Sequence, residues 1–452
     1  MGKKYNFDYV VIGSGPAGTT AALTLARKAK NKVAIVEDHA FGGNNLNSRD
    51  VPYLVSLGFS HTFSKLANYP EINAQEMHFN FPSVVMHQNQ TIQALGGGST
   101  DVFDTAGIIS MFGHAHFIDA HTLAVGHEQI TSEYFIIATG AKLNTGDIVG
   151  LDDVPCLTPE TAIKLRKLPK YALVVGGGST GCEIASYFAE LGTSVFMAEA
   201  SERILPKEDP EASNAVMDYF TTKLGIKIAT ETKVVAVERD AVSKKVILSS
   251  NGREKSVRID CIILATGSKP VLDIGLENAE VKYSENGIQV NKMFQTTTKN
   301  IYAIGDALGG DSSTERAVYH GKTLALNLLD KARVYPDYRG FVRVTSTNPE
   351  VAAIGKTEAE LKKEGIKFRK AVVYIKDLPI SKIDRFSDGL VKMIIGGNRR
   401  ILGATIVAPN ASLMASEISL AVRHNMTIDQ LRETPHIANS FAAVIGEISD
   451  SL

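Results

Sequence analysis

The sequence predicts an α/β fold in which a β-α-β unit occurs twice, followed by a C-terminal α+β domain. Each unit has a short apolar run, a Gly-x-Gly-x-x-Gly turn and a segment of helical composition, at residues 13–18 and again at residues 176–181. Glycines with this spacing between a strand and a helix are typical of Rossmann-like dinucleotide-binding domains. A further strand and turn, Ile301 to Asp306, follow the second unit. We therefore predict two such domains, one inserted in the other.

The first unit is predicted from two apolar runs with β-rich composition and a helical segment between them. These are Tyr9 to Ile12, Ala17 to Lys28 and Val33 to Val36. Backbone amides and the helix N-terminus at Gly13, Gly15 and Gly18 can meet a pyrophosphate at close range. Glu37 ends the second strand, where a carboxylate accepts hydrogen bonds from ribose hydroxyls. The alternative, a tight turn without a ligand, is disfavoured by this context.

The second unit repeats the pattern with its own acidic residue. Its elements are predicted at Ala172 to Val175, Gly181 to Leu191 and Ser194 to Ala198. Its turn glycines are Gly176, Gly178 and Gly181. Glu199 ends the following strand, where its charge would repel a 2′-phosphate and so favours NADH over NADPH. The alternative is that Arg203, four residues further on, reaches a 2′-phosphate.

Composition limits the classes of partner. The 452 residues suffice for roughly three domains of ordinary size. Because 48 basic and 49 acidic side chains give a net charge of -1, no global field favours nucleic acid or an anionic membrane. No apolar run approaches the roughly 20 residues that span a bilayer, and Asp8 and the first glycines interrupt any secretory signal. We expect a soluble cytoplasmic protein with a small-molecule partner.

The cysteine and histidine patterns predict no metal site. Cys156, Cys182 and Cys261 are too widely spaced for a Cys-x-x-Cys motif, and the last two are expected in the core of the second nucleotide domain. His114, His116 and His121 lie close in sequence, and the first two would share one face of a strand. A metal site would require convergence with a further ligand, so exposed strand histidines are the preferred interpretation.

Together these motifs resemble the flavoprotein disulfide reductases, such as dihydrolipoamide dehydrogenase and mercuric reductase. The resemblance rests on both glycine fingerprints, on Ile301 to Asp306, and on two apolar strands that end in Ala-Thr-Gly, at Ala138 to Gly140 and Ala265 to Gly267. It implies that the first fingerprint binds FAD and the second binds NAD. Further cofactor contacts are implied at Asp306 on the ribityl chain, at Ala115 beyond Gly113 on the adenine, and at Thr139, Gly140 and Gly267.

The resemblance also implies the domain boundaries and a homodimer. The FAD-binding domain would comprise residues 1–145 and 270–331, the NAD-binding domain residues 146–269, and the dimerisation domain residues 332–452. The last assignment rests on Thr347 to Glu350, Gly355 to Glu358 and Ile401 to Ala404.

The chain departs from the family at the positions of its disulfide chemistry. Asn45 and Asp50 stand where the family has its two redox cysteines, and neither can form a thiolate. Leu54 replaces the family's lysine. Ala438 and Ala443 replace its acid-base histidine and the partner glutamate, and Ser312 to Glu315 replaces Met-Leu-Ala-His.

Glu183 is the predicted catalytic residue. It matches a family glutamate that pairs with the lysine near the flavin's reactive nitrogen, but that lysine position is Leu54. A buried carboxylate without a partner holds its proton more tightly, so Glu183 is expected to lack a partner and to donate a proton during flavin reduction. The alternative is that another cation or water satisfies it.

We expect an FAD-dependent NADH oxidoreductase that passes electrons from reduced flavin directly to a non-disulfide acceptor. Quinones, dyes, oxygen or a second nicotinamide nucleotide are compatible acceptors. The alternative is a flavin- and nucleotide-binding protein with little turnover and a sensing role, in which Asn45, Asp50 and His436 form a ligand pocket.

Overall fold

The computed structural model describes residues 5–28, 32–67, 69–73, 78–240, 243–330 and 333–452. From the N-terminus to residue 143 the elements are β1 Phe7–Ile12, α1 Pro16–Ala26, β2 Val33–Glu37, α2 Gly43–Asn47, α3 Asp50–Ala67, α4 Phe81–Ala94, α5 Asp101–Thr105, β3 Ile109–Phe112, β4 Ala115–Asp119, β5 Thr122–Val125, β6 Glu128–Ile137 and β7 Ala141–Leu143. To residue 270 they are α6 Pro159–Ala162, β8 Tyr171–Val175, α7 Ser179–Glu190, β9 Ser194–Ala198, α8 Pro210–Thr222, β10 Lys227–Ala229, β11 Thr232–Arg239, β12 Lys244–Ser250, β13 Arg253–Ile259, β14 Cys261–Leu264 and β15 Ser268–Pro270.

From residue 276 onward the elements are a 3-10 helix Leu276–Ala279, β16 Tyr283–Ser284, β17 Gly287–Ile288, β18 Ile301–Ala303, a 3-10 helix Gly305–Leu308, α9 Thr314–Asp330, β19 Val342–Thr345, β20 Glu350–Gly355, α10 Glu358–Lys363, β21 Phe368–Tyr374, a 3-10 helix Ile375–Asp377, α11 Ile380–Ile383, β22 Leu390–Gly396, β23 Ile401–Ala408, α12 Ala411–Arg423, α13 Ile428–Arg432 and α14 Ala443–Asp450. Within the described ranges, no helix is both long enough and apolar enough to cross a bilayer.

The chain divides into two compact units, and the first is discontinuous in sequence. It comprises Met1–Val55, Met86–Asn144 and Ser268–Asp337. Its main sheet has the strand order β3-β2-β1-β6-β5-β4, with β18 added against β6. Strands β3, β2, β1, β6 and β18 pair in parallel, whereas β4, β5 and β6 pair antiparallel. Parallel pairing requires crossover connections, and α1 provides the one between β1 and β2.

The second unit comprises Ser56–Val85, Thr145–Gly267 and Tyr338–Leu452. It contains a parallel sheet of order β10-β9-β8-β14, an antiparallel sheet β11-β12-β13 and an antiparallel sheet β19-β20-β23-β22-β21. The last sheet and helix α12 bury a common apolar core. This is the α+β part of the chain.

The predicted double β-α-β organisation is confirmed, with small shifts at the helix ends. The first helix ends at Ala26 rather than Lys28. The second begins at Ser179 rather than Gly181, because Gly178 is its N-cap and already has extended backbone angles. The predicted boundary at residues 331 and 332 lies outside the described residues.

A buried ion cluster occupies the C-terminal sheet. The Lys392 side chain on β22 is fully buried, and its Nζ lies 3.0 Å from Asp209 Oδ2 and 2.8 Å from Glu211 Oε2. It also contacts Glu358, which Lys370 contacts from the neighbouring strand. Burial opposes ionisation of Glu358, but hydrogen bonds from Lys370 and Lys392 lower its pKa to about 2. The cluster therefore joins α8, α10 and the sheet through charges that compensate one another.

Replacing Lys392 by Met is expected to destabilise this unit by about 3 to 5 kcal/mol, because three carboxylates would lose the cation buried among them. Lys370→Met is the matched control, since that side chain is 40% exposed and its removal leaves Lys392 in place. Urea unfolding followed by circular dichroism measures both. Equal losses for the two variants would contradict a dominant role for Lys392.

Candidate functional site

The loop between β1 and α1 contains two glycines that the chain itself requires and one that faces open space. A Cβ on Gly13, whose φ is +100°, would lie 2.3 Å from the Ala138 carbonyl oxygen. A Cβ on Gly18 would lie 1.9 Å from the Gly13 carbonyl oxygen. A Cβ on Gly15 would meet nothing within 4 Å. The strand and helix are thus in backbone contact, and space remains at Gly15 beside the N-terminus of α1.

The loop between β8 and α7 repeats this geometry. A Cβ on Gly176 would lie 2.4 Å from the Ala265 carbonyl oxygen, and one on Gly181 would lie 1.9 Å from the Gly176 carbonyl oxygen. Gly178 faces open space, as Gly15 does. Both loops therefore offer amides at a helix N-terminus that a pyrophosphate can approach without meeting a side chain.

The two acidic residues that end the second strands differ in their hydrogen bonds. Glu37 Oε2 accepts from the Ser14 amide at 3.0 Å and hydroxyl at 2.6 Å, and Oε1 accepts from the amides of Asp38 and His39, both at 3.1 Å. Among the described residues, Glu199 accepts from the amides of Gly177 at 2.5 Å and Ser201 at 2.7 Å. A carboxylate offers about four acceptor positions, so Glu199 retains more capacity for ribose hydroxyls than Glu37 does.

The residues after the Ala-Thr-Gly strands lie beside these loops. The Thr139 hydroxyl donates to the Val271 carbonyl at 2.8 Å. Gly140 and Gly267 have φ values of +71° and +92°, a region that favours glycine, and neither would place a Cβ against a neighbour. Ala115 is buried at the start of β4.

Asp306 lies in the 3-10 turn after β18, near three residues that the sequence did not point to: Arg49, Arg316 and His320. Burial raises the pKa of Asp306, and Ser312, Arg49 and Arg316 oppose that shift. His320 on α9 is fully buried, and its Nδ1 accepts the Gly305 amide at 3.2 Å. Burial lowers the pKa of His320 to about 4. Neutral His320 therefore fixes the turn that presents Asp306.

Asn45 and Asp50 are joined by direct hydrogen bonds and share a third residue. Asn45 Nδ2 donates to Asp50 Oδ2 at 2.5 Å and to the Thr314 Oγ1 at 2.6 Å. The Thr314 hydroxyl in turn donates to Asp50. All three side chains are half-buried. This Asn45–Asp50–Thr314 cluster is a closed set of hydrogen bonds at the start of α3 and α9.

Comparison with known proteins assigns the whole chain to one family. Residues 7–321 match the family described as pyridine nucleotide-disulphide oxidoreductase, and residues 341–448 match its dimerisation domain. The chain belongs to this family. Its members use FAD and NAD(P)H, so the chain is a flavoprotein oxidoreductase of the two-Rossmann-domain class.

Curated relatives are similar along almost the full chain. The mercuric reductase of Streptomyces lividans is 32% identical over 95% of this chain and 93% of its own length. The dihydrolipoyl dehydrogenase of Bacillus subtilis strain 168 is 29% identical over 98% of this chain and 96% of its own length. Among solved structures, the HOCl-induced flavoprotein disulfide reductase RclA of Escherichia coli has a TM-score of 0.87 at 23% identity, covering 98% of this chain and 99% of that chain. That last likeness concerns the fold.

The three cysteines of this family member have environments that disfavour thiolates. Cys182 and Cys261 are buried and Cys156 is half-buried, and none is in a disulfide. Burial raises the pKa of all three thiols, that of Cys261 to about 11. The prediction that Cys182 and Cys261 are core residues is confirmed.

Glu183 has a partner, and the expectation that it lacks one is wrong. Its Oε1 accepts the backbone amide of Ser346 at 2.8 Å, and its side chain is only half-buried. The partner comes from a loop 163 residues further along the chain, which local sequence patterns do not reveal. Leu54, at the family's lysine position, is 59% exposed.

The histidines are distributed differently from the expectation. Only His116 belongs to β4, since His114 precedes the strand and His121 follows it, stacked on Tyr5. The idea that His114 and His116 share a strand face is therefore wrong. Among the described residues no group of three His, Cys, Asp or Glu side chains is arranged to hold a metal ion. His436 pairs with Glu417, with 3.1 Å between Nε2 and Oε1.

Substituting the two open glycines is expected to separate cofactor binding from folding. Gly15→Ala should fold but lose most bound FAD, and Gly178→Ala should retain FAD but bind NADH more weakly. Both glycines have backbone angles that alanine adopts, so folding is preserved. The added Cβ would enter space that only a ligand fills. Gly18→Ala and Gly181→Ala are matched controls that should fail to fold. Flavin absorbance of purified protein and NADH titration measure these effects. FAD retention by Gly15→Ala would contradict the assignment.

Proposed function

We propose that this protein is a cytoplasmic, homodimeric, FAD-dependent NADH oxidoreductase whose reduced flavin passes electrons directly to a non-disulfide acceptor. The observation that carries the proposal is the Asn45–Asp50–Thr314 cluster. Its side chains carry an amide, a carboxylate and a hydroxyl group, and none of these groups can undergo thiol-disulfide exchange. A quinone, a dye, oxygen or a second nicotinamide nucleotide fits this chemistry as acceptor.

The cofactor assignments follow from the loops described above. We assign FAD to Gly13, Gly15, Gly18, Glu37, Ala115, Thr139, Gly140 and Asp306, and NAD to Gly176, Gly178, Gly181, Glu199 and Gly267. FAD held by these residues would supply two-electron chemistry between a nicotinamide and the acceptor. The chain's own residues hold and orient the two cofactors, and Glu183 is assigned a role in handling a proton.

NADH is proposed as the preferred donor. Glu199 retains acceptor capacity for ribose hydroxyls, and its charge would repel a 2′-phosphate. Arg203, the alternative contact for a 2′-phosphate, donates to Glu202 Oε1 at 2.5 Å and to the Pro206 carbonyl at 3.3 Å. Its guanidinium is therefore already engaged by its own loop.

The Asn45–Asp50–Thr314 cluster uses its donors internally. Both Asn45 contacts come from the same amide nitrogen, and the Thr314 hydroxyl donates to Asp50. The cluster atoms that can still bond to a ligand are chiefly hydrogen-bond acceptors, Asn45 Oδ1 and Asp50 Oδ1. Such a surface suits a bound molecule with O–H groups, such as a hydroquinone product.

An acceptor screen tests the proposal. We expect NADH-dependent reduction of a soluble benzoquinone and of ferricyanide, and at most trace rates with lipoamide, glutathione disulfide or Hg(II), the last chosen because relatives are named mercuric reductase. Lipoamide or Hg(II) turnover matching the quinone rate would overturn the proposal. Rapid binding of NADH with no flavin reduction would favour the sensing alternative.

A cysteine restoration adds a second test. Asn45→Cys with Asp50→Cys is expected to stay inactive toward lipoamide, because Ala438 and Ala443 supply no acid-base pair to protonate the leaving thiolate. Adding Ala438→His and Ala443→Glu is expected to raise the lipoamide rate by about 10² or more. Lipoamide turnover by the double variant alone would contradict the requirement for that pair.

A further inference from the structure

Helix α7 has a polar stripe on one of its faces. Glu183, Ser186, Tyr187 and Glu190 are spaced i, i+3, i+4 and i+7, so they lie along the same face over about 10 Å. Ser186, Tyr187 and Glu190 are buried, while Glu183 is half-buried. A face this polar is unusual inside a domain, since buried polar groups require partners.

The inner end of the stripe is the Glu190 carboxylate. Its side chain has no exposed surface. The side chains of Ser60, Ser186 and Asn348 lie close enough to lower its pKa through hydrogen bonding, against the larger effect of burial. The Ser60 hydroxyl also donates to the Leu57 carbonyl, at 3.2 Å. Polar atoms enclosed in this way are commonly bridged by buried water.

His61 connects Glu190 with solvent. Its Nε2 lies 3.8 Å from Glu190 Oε2, and 27% of its side chain is exposed. Burial lowers the pKa of His61 to about 4 and raises that of Glu190 to about 7. Among the described residues, Tyr219 on α8 is a further titratable group near Glu190, and burial raises its pKa to about 12, so it stays neutral. Near neutral pH, Glu190 can therefore both take up and release a proton.

The loop at residues 345–348 runs along the same stripe. Ser179 at the start of α7 is hydrogen-bonded to Thr345, with 2.8 Å between the hydroxyl oxygens. The Ser346 amide donates to Glu183 at 2.8 Å, and Asn348 faces Glu190. The loop thus covers the stripe from its start to Glu190. A line of polar groups leads from partly exposed His61, through Glu190 and Ser186, to Glu183.

We propose that this line conducts protons from solvent to Glu183. The inference rests on the proposed function, because a non-disulfide acceptor such as a quinone needs a proton that the donor does not supply. The balance is NADH + H⁺ + quinone → NAD⁺ + hydroquinone. The line delivers the H⁺ on the left side and moves no electrons. A proton enters through the exposed part of the His61 ring, passes from its buried Nε2 to the Glu190 carboxylate, and reaches Glu183 through the Ser186 hydroxyl and bridging water.

Comparing two acceptors tests the proposal, because ferricyanide takes electrons without protons. Glu190→Gln keeps the shape of the side chain but cannot relay a proton through ionisation. We expect its quinone reduction at neutral pH to fall about tenfold or more, with a larger solvent deuterium isotope effect. Its NADH-driven flavin reduction and ferricyanide rate should be unchanged. Ser186→Ala should produce a smaller loss with the same pattern.

Glu254→Gln is the matched control, since that glutamate is exposed on β13 and lies outside the stripe. It should match the wild type with both acceptors. Equal quinone rates in wild type and Glu190→Gln would overturn the proton line. A parallel loss with ferricyanide would also overturn it, because that pattern indicates structural damage.

An infrared difference spectrum between NADH-reduced enzyme and the same enzyme reoxidised by a quinone tests the line without a rate measurement. A carboxylic acid C=O band that changes on reoxidation and is lost in Glu190→Gln would support it. A spectrum without that band, or a band that persists in the variant, would overturn it. Failure of the wild type to reduce any quinone would instead contradict the proposed function alone, so the two failures are distinguishable.

Discussion

Both nucleotide domains depend on one constraint, a close approach of backbone segments. In each domain the first strand (β1 or β8), the helix after it (α1 or α7) and an Ala-Thr-Gly segment are in backbone contact. At Gly13 and Gly176 the chain passes so near the carbonyls of Ala138 and Ala265 that no Cβ fits. The same approach aims the N-termini of α1 and α7 at open space. Packing and ligand binding are therefore specified by the same residues, and the repetition of the contact in both units explains why one chain can hold two dinucleotides.

Within that scaffold, three polar side chains near the first glycine loop form a cluster of their own. The Asn45–Asp50–Thr314 cluster places hydrogen-bonding groups at the start of α3 and α9, and the three cysteines elsewhere are held as thiols by burial. Asp50 also begins α3, where the positive end of the helix dipole favours a carboxylate. The positions can therefore be occupied by polar residues without loss of the local fold. Under the proposed function, electrons leave the flavin by a route without a protein disulfide.

The sequence predicted the β-α-β units and the glycine loops because those features depend on residues a few positions apart. The Ser194–Ala198 strand was predicted with its observed bounds, and the helix limits differed by two residues. The partners of the functional side chains were not predictable in this way. Thr314 meets Asn45 across 269 residues, and Ser346 meets Glu183 across 163. Such contacts depend on how distant segments are brought together, and no local pattern encodes them.

Contacts between distant segments also explain why the buried polar groups were not predictable from the sequence. Lys392 lies in the otherwise apolar strand β22, yet its compensating carboxylates come from the start of α8 and from α10. Glu190 and His61 were passed over because each is an ordinary helix residue until the fold buries them together. His320 likewise gains its role from the Gly305 amide. Buried polar groups are thus where the structure adds most to the sequence.

We propose that reduced flavin passes its electrons onward without a protein disulfide. An anaerobic NADH titration of the purified protein, followed by its flavin spectrum and run in parallel with NADPH, tests this route. We expect complete bleaching at one two-electron equivalent per flavin, with no long-wavelength thiolate-to-flavin band. Consumption of a second equivalent before full reduction, accompanied by that band, would contradict it.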